Sequence, residues 1–234
     1  MIKNIIFDLG GVLLDLDMPY CITRFKSLGL DLNKLTESNK NSTSASTQKN
    51  AVLCEGMVAT GAMNLYQTGD ISTDDFFLGM QRYALPGTTM KQLKDAWNTC
   101  CLTIPQYRLD KVYELRQKGY NIYMLSNTND EHWQDIVARC FGSYEDVTRY
   151  LHRTFLSQEM HLAKPNDAIY TTLLSEINAE ASECLFIDDS QPNIDAASAL
   201  GFHTIKAQVT KTNDGKVIER PSIDWVNIID ERLA

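Results

Sequence analysis

The chain predicts an α/β fold, a parallel sheet covered by helices on both faces, with an all-helical segment inserted after the first strand. Three observations carry this. Ile5-Ile6-Phe7, Asn121-Ile122-Tyr123-Met124-Leu125 and Glu183-Cys184-Leu185-Phe186-Ile187 have the nearly continuous apolar character of strands buried on both faces. From residue 103 onward such runs alternate with helix-length amphipathic stretches, the pattern of strand-helix-strand crossovers in a parallel sheet. Between residues 16 and 102 strand runs are missing and apolar residues recur at helical spacing.

The first strand, Asn4 to Phe7, ends in Asp8 and is closed by the pair Gly10-Gly11. Ile22, Phe25, Leu28 and Leu30 predict a short helix stopped by Gly29. Residues 38–50 hold almost no apolar side chain, which predicts a mobile loop serving as linker or lid. Ser72, with Asp75 three positions on, predicts a capped helix presenting Phe76, Phe77, Met80 and Tyr83, and a further helix carries Met90, Leu93 and Trp97. Tyr20, Phe25, Met57, Met63 and Tyr66 are expected in the apolar core of this segment.

Pro105 opens a helix with Leu109, Val112 and Leu115 inward, closed by Gly119. The strand over 121–125 ends at Ser126, and a helix with Trp133, Ile136 and Val137 follows. Thr154-Phe155-Leu156 is a short third strand, and Pro165 starts a helix carrying Ile169, Leu173 and Ile177. The fourth strand ends in Asp188-Asp189. A helix over 192–200, stopped by Gly201, leads to a fifth strand near Thr204-Ile205-Lys206. After about Lys211 a surface excursion and a short helix with Trp225 are expected. The domain division is therefore 1–15 and 103–234 for the α/β core, with 16–102 as an inserted helical domain.

With 234 residues, 44% apolar and 22% charged, the chain has the length and composition of a core plus a smaller accessory domain. A net charge of -8 opposes a surface built for nucleic acid or an anionic membrane, so small molecules are the expected partners. No apolar stretch reaches the length of a membrane span and the N-terminal run is too short for a secretory signal, so the protein is expected in the cytoplasm. Of the six cysteines only Cys100 and Cys101 are neighbours and no C-x-x-C occurs, so neither a zinc site nor a disulfide framework is written in the spacing. His132 and His161 also lack metal spacing and are expected to be structural or exposed.

Three strands end in residues that can do chemistry: Asp8, the run Ser126-Asn127-Thr128-Asn129, and Asp188-Asp189. A parallel sheet gathers strand carboxyl ends on one edge, where Lys164 is a fourth candidate. Each has a plainer reading. Asp189 and Ser190 can cap the following helix, Ser126-Asn127 can be a turn, and Lys164 can be a surface residue. Gly10-Gly11 could belong to a dinucleotide loop, but no G-x-G-x-x-G is present. Together the residues have one chemical logic. Hard carboxylate oxygens from Asp8, Asp188 and Asp189 suit Mg²⁺, Ser126 can donate to phosphoryl oxygens, and Lys164 balances their charge. Such a site would let a carboxylate attack a phosphate dianion, giving an aspartyl-phosphate that water hydrolyses.

The motifs Phe7-Asp8-Leu9-Gly10-Gly11-Val12-Leu13, Leu125-Ser126-Asn127-Thr128, Lys164-Pro165, and Ile187-Asp188-Asp189 with Asn193 resemble those of the haloacid dehalogenase-like hydrolase superfamily, nearest its small sugar-phosphate phosphatases. The resemblance implies a Rossmann-like core and makes 16–102 a cap domain. It also implies Asp8 as nucleophile, Ser126 and Asn127 as phosphate ligands, and Lys164 as charge balancer. The implied cofactor is Mg²⁺, held by Asp8, the Gly10 carbonyl, Asp188 and Asp189, and the implied substrate is a small, sugar-like phosphate ester. One departure stands out. The family's phosphatases usually carry a second aspartate as general acid where this chain has Gly10, and Val12 replaces the usual threonine. Asp15 and Asp17 are the nearest substitute acids. A 2-haloacid dehalogenase and a binding protein that has lost turnover are the competing readings; a carboxylate cluster without a cation would repel a haloacid.

Overall fold

A computed structural model of the chain describes residues 1–30, 60–208 and 225–233. Residues 38–50 and Met57, for which expectations were stated, lie outside the described residues. The strands are β1 (Asn4–Phe7), β2 (Asn121–Ser126), β3 (Arg153–Leu156), β4 (Cys184–Asp188) and β5 (His203–Lys206). They form one sheet in the order β3-β2-β1-β4-β5, and every pairing is parallel. This is the predicted Rossmann-like α/β core.

The helices up to β2 are α1 (Met18–Ser27), α2 (Thr60–Gln67), α3 (Thr73–Gln81), α4 (Met90–Asn98) and α5 (Gln106–Gln117). After it come α6 (Asp130–Ile136), α7 (Tyr144–Tyr150), α8 (Ser157–Met160), α9 (Asp167–Ile177), α10 (Gln191–Ala199) and α11 (Trp225–Leu233). Among the described residues, 18–98 contain helices and no strand of the sheet.

Strand alternation explains why β1 and β4 read as unbroken apolar runs. Ile5 and Phe7 of β1, with Leu185 and Ile187 of β4, pack into an apolar cluster that continues through Phe25, Tyr66, Phe76, Phe77 and Trp97. Ile6 and Phe186 point the other way, into a cluster with Ile169, Tyr170, Leu173 and Phe202. Successive side chains of a strand face opposite sides, so burial on both faces requires every position to be apolar.

Local chemistry set the helix starts well and some details poorly. Ser72 caps α3, its Oγ accepting from the Asp75 amide at 3.1 Å. Pro105 precedes α5 instead of opening its first turn, and Pro165 lies two residues ahead of α9, which Asn166 caps at the Ala168 amide. Tyr20, Met63 and Tyr83 are exposed, contrary to the expectation of apolar packing, while Phe25 and Tyr66 are buried. On α1 and α2 neighbours on the same helix, Cys21 and Phe25, and Ala62 and Tyr66, take the inward positions, while Tyr83 lies past the end of α3. Trp225 is fully buried in the core, donating from its indole N–H to the Val12 carbonyl at 3.0 Å and packing on Phe7.

Candidate active site

Sheet register alone brings the candidate residues together. Phe7 pairs with Met124 on one side and Ile187 on the other, which sets Asp8 level with Leu125 and Asp188, one step from Ser126. Asp8 stands at the exit of the central strand, with its amide bonded to the Ile187 carbonyl at 2.8 Å. Lys164 reaches this edge from the loop before α9. Its Nζ lies 2.9 Å from Asp8 Oδ1 and 2.7 Å from Asp188 Oδ2, and donates to the Leu125 carbonyl at 2.9 Å. A buried ammonium with three acceptors is fully satisfied, and its placement is correspondingly fixed.

Two amide side chains hold this arrangement. Asn127 spans the Lys164 backbone, donating to its carbonyl at 2.8 Å and accepting from its amide at 2.9 Å. Asn193, on the first turn of α10, donates to both Asp188 oxygens at 3.0 Å, and the Ser190 amide adds a donor at 2.8 Å. The Asp188 carboxylate thus faces the lysine and the start of α10, whereas Asp189 turns toward the loop after β1. There Gly11 has φ +74°, and a Cβ on it would stand 2.5 Å from Asp189 Oδ2. No L side chain fits at that position on either count.

The loop over residues 9–14 folds onto its own start: the amides of Leu13 and Leu14 donate to the Leu9 carbonyl at 2.9 and 2.8 Å, while the Leu9 amide donates to Asp8 Oδ1 at 2.7 Å. Asp8, Asp188 and Asp189 each offer an oxygen, all within 4.8 Å of one another. That donor set, three hard oxygens beside one lysine, fits Mg²⁺.

Burial is the largest influence on Asp8 and opposes its charge; Lys164 works the other way, Asp188 adds repulsion, and the carboxyl is pushed up to about 6. For Lys164 burial disfavours the ammonium, but Asp8 and Asp188 outweigh it and hold the charged form. A carboxyl raised on folding stabilises the fold while protonated, and that contribution is lost as pH climbs through the folded value. In chelator, the metal-free protein is therefore expected to lose stability to Asp8 ionisation between pH 3.8 and about 6. Asp8→Asn removes the ionisation and should melt higher than wild type above that window, by on the order of 3 kcal/mol, with the difference vanishing near pH 4. Thermal melts of both proteins across pH check this; equal melting points at pH 8 would contradict it.

Asp15 and Asp17, the substitute acids, are committed elsewhere. Asp17 caps α1, accepting from the Tyr20 amide at 2.9 Å, and Asp15 pairs with the buried Arg108 at 3.0 Å. Arg108 also donates to the Leu13 carbonyl at 2.7 Å, so the pair braces the loop after Asp8. Ser190 stands at the N-cap of α10 without a side-chain capping bond.

Sequence reasoning missed Ser157. Fully buried at the start of α8, its hydroxyl donates to the Gln67 carbonyl at 2.6 Å and accepts from the Thr128 amide at 3.0 Å. It thereby ties the loop after β2 to the end of α2, and a lone serine after a short strand gives no sequence signal of that.

Fold and site together define a hydrolase of the kind in which a parallel sheet presents an aspartate at its central strand end. The chain belongs to the haloacid dehalogenase-like hydrolases, whose family model matches residues 2–201. It is similar to a D-ribitol-5-phosphate phosphatase of Bacteroides thetaiotaomicron, 29% identical over 89% of this chain and 93% of that protein. A sesquiterpene phosphatase of Aspergillus oryzae is 26% identical over 86% of this chain and 87% of its own. Among solved structures, a HAD family enzyme from Bacteroides thetaiotaomicron in complex with magnesium and inorganic phosphate superposes with TM-score 0.73 at 32% identity, covering 91% of this chain and 98% of that one.

Proposed function

We propose that the protein is a Mg²⁺-dependent phosphomonoester hydrolase acting on a small, sugar-like phosphate through an aspartyl-phosphate on Asp8. The observation that carries this is Asp8 at the central strand end, 2.9 Å from Lys164 and clustered with Asp188 and Asp189. In this reading Asp8 attacks phosphorus, the ester P–O bond breaks as the Asp8 O–P bond forms, and water then cleaves the acyl phosphate. Lys164 offsets the phosphoryl charge, Ser126 donates to a phosphoryl oxygen, and Asn127 fixes the lysine backbone instead of offering its own side chain to phosphate. Asp8, the Gly10 carbonyl and Asp189 would hold Mg²⁺, and Asp188 either joins them or acts through Lys164 and Asn193. Bound there, the ion neutralises charge between the nucleophile and the phosphate. Residues 16–102 act as the cap over this edge and choose the substrate.

Several features support the reading. The carboxylate cluster disfavours the dehalogenase alternative, since an anionic haloacid would meet three carboxylates with one lysine. Relatives of similar identity bear names for a polyol phosphate and a terpenoid, so the substrate test must cover both kinds. The test is a panel of sugar, polyol and prenyl phosphates assayed with and without Mg²⁺. Phosphate release from sugar or polyol phosphates only with the ion is the expected result; release in chelator, or preference for prenyl phosphates, overturns part of the reading. Asp189→Ala is expected to raise the Mg²⁺ concentration needed for half-maximal activity roughly 10-fold or more, by removing one hard ligand. An unchanged Mg²⁺ dependence would take Asp189 away from the ion.

A further inference from the structure

Two helices remote in sequence hold the loop that follows Asp8. Residues 9–14 are closed internally: the Leu13 and Leu14 amides both donate to the Leu9 carbonyl, and the Gly11 amide donates to the Leu14 carbonyl at 2.9 Å. The two carbonyls between are taken by side chains. Trp225, the first residue of α11, donates its indole N–H to the Val12 carbonyl at 3.0 Å, and Arg108 of α5 donates to the Leu13 carbonyl at 2.7 Å. We propose that Trp225 is a positioning residue for Mg²⁺, acting through the Val12 carbonyl to fix the loop that carries the Gly10 carbonyl; the inference rests on the phosphatase reading above.

The placement of Trp225 suits this role. It is fully buried, and its ring lies 4.8 Å from that of Phe7, centroid to centroid. Phe7 is the last residue of β1 and directly precedes Asp8, so one side chain touches the chain on both sides of the nucleophile. A close-packed ring transmits its position to what it touches, and the directed N–H bond adds a fixed orientation. Such precision matters for this ion. Mg²⁺ demands near-ideal octahedral geometry with bonds of about 2.0–2.1 Å, so a backbone carbonyl serves it only where the loop is held still.

The helix that carries Trp225 is anchored to the helix that carries Arg108. Asp230 of α11 lies 2.6 Å from Nζ of Lys111, on α5, and 3.5 Å from Nζ of Lys118, just past its end. The two helices thus clamp two consecutive carbonyls. α11 lies beyond residue 201, where the family match ends, so half of the clamp comes from outside the matched residues. Asp8 is held separately, by its amide bond to the Ile187 carbonyl at 2.8 Å. Loosening Trp225 therefore moves the loop more than the nucleophile, and metal affinity is expected to suffer more than kcat.

Coupling of this kind is reciprocal: if Trp225 sets the affinity for the ion, the ion stabilises the docking of α11 to the same extent. The experiment is a calorimetric Mg²⁺ titration of the full chain together with amide hydrogen exchange. In the wild type, exchange over residues 225–233 is expected to slow with Mg²⁺ relative to chelator, by a larger factor than in α9, which packs on the other face of the sheet. Trp225→Phe keeps a ring against Phe7 and removes the N–H. It is expected to weaken Mg²⁺ binding roughly 10-fold, as loss of a group supporting a metal ligand does, with a matching rise in the Mg²⁺ needed for half-maximal phosphate release and a smaller fall in kcat at saturating ion. A variant with a lower melting temperature but an unchanged Mg²⁺ dissociation constant overturns the proposal alone, because Trp225 then only supports the fold. So does exchange in α11 that is insensitive to the ion in the wild type, a measurement that decides even where Trp225→Phe does not fold. A wild type that binds no Mg²⁺ overturns the phosphatase reading and the proposal with it.

Discussion

Asp8→Asn is expected to abolish phosphate release, by roughly 10⁴-fold or more, while the protein stays folded. The amide keeps the shape of the carboxylate and can still accept from the Leu9 amide, which lies 2.7 Å from Asp8 Oδ1. Lys164 keeps Asp188 at 2.7 Å and the Leu125 carbonyl at 2.9 Å, so losing one acceptor does not strand the buried ammonium. What disappears is the nucleophile. The measurement is kcat on the best phosphate ester of the panel, with the circular dichroism spectrum and melting curve as controls for folding. Activity within 10-fold of wild type would remove Asp8 from the role. The same variant carries the stability gain expected in chelator, so a protein that is inactive and more stable above pH 6 would satisfy two independent consequences of one buried carboxyl.

The sheet was legible because burial on both faces forces continuous apolar runs, as in Ile5-Ile6-Phe7, and because parallel strands place their ends on one edge. Asp8, Lys164, Asp188 and Asp189 could therefore be grouped from sequence although they span most of the chain. What each side chain touches was not legible. The Asn127 side chain is bonded to both backbone groups of Lys164, a contact between two loops that no local pattern encodes. The same holds for Ser157 between Thr128 and Gln67, and for the gathering of Cys100, Cys101 and His132. Helical faces were read less well than strands: Tyr20 and Met63 are apolar enough to suggest burial, yet Cys21, Phe25 and Tyr66 fill the inward positions.

The second large effect concerns Gly10. With glycine there, the chain lacks the side chain that family resemblance makes the general acid, and Asp15 and Asp17 are engaged with Arg108 and the start of α1. The leaving oxygen must then depart as an anion or take its proton from water or from a substrate hydroxyl. General acid-base assistance is worth about 10² to 10⁴-fold, so reactivity should fall steeply as the leaving group becomes more basic. A series of aryl phosphates of similar size and graded phenol acidity is expected to give a steep dependence of kcat/KM, with burst kinetics confirming that the first chemical step is observed. Gly10→Asp supplies the companion measurement. A Cβ at this position would stand 3.2 Å from Leu16 Cδ1, the flexible end of a side chain, and Gly10 is not among the glycines with positive φ, so the backbone accepts the substitution once Leu16 shifts. The variant should flatten the series and raise kcat/KM for alkyl and sugar phosphates by at least 10-fold, toward the lower end of the general-acid range. A flat series in the wild type would mean that a proton donor is already present, and with both nearby aspartates engaged the search would turn to the substrate's own hydroxyls, testable with deoxygenated substrate analogues.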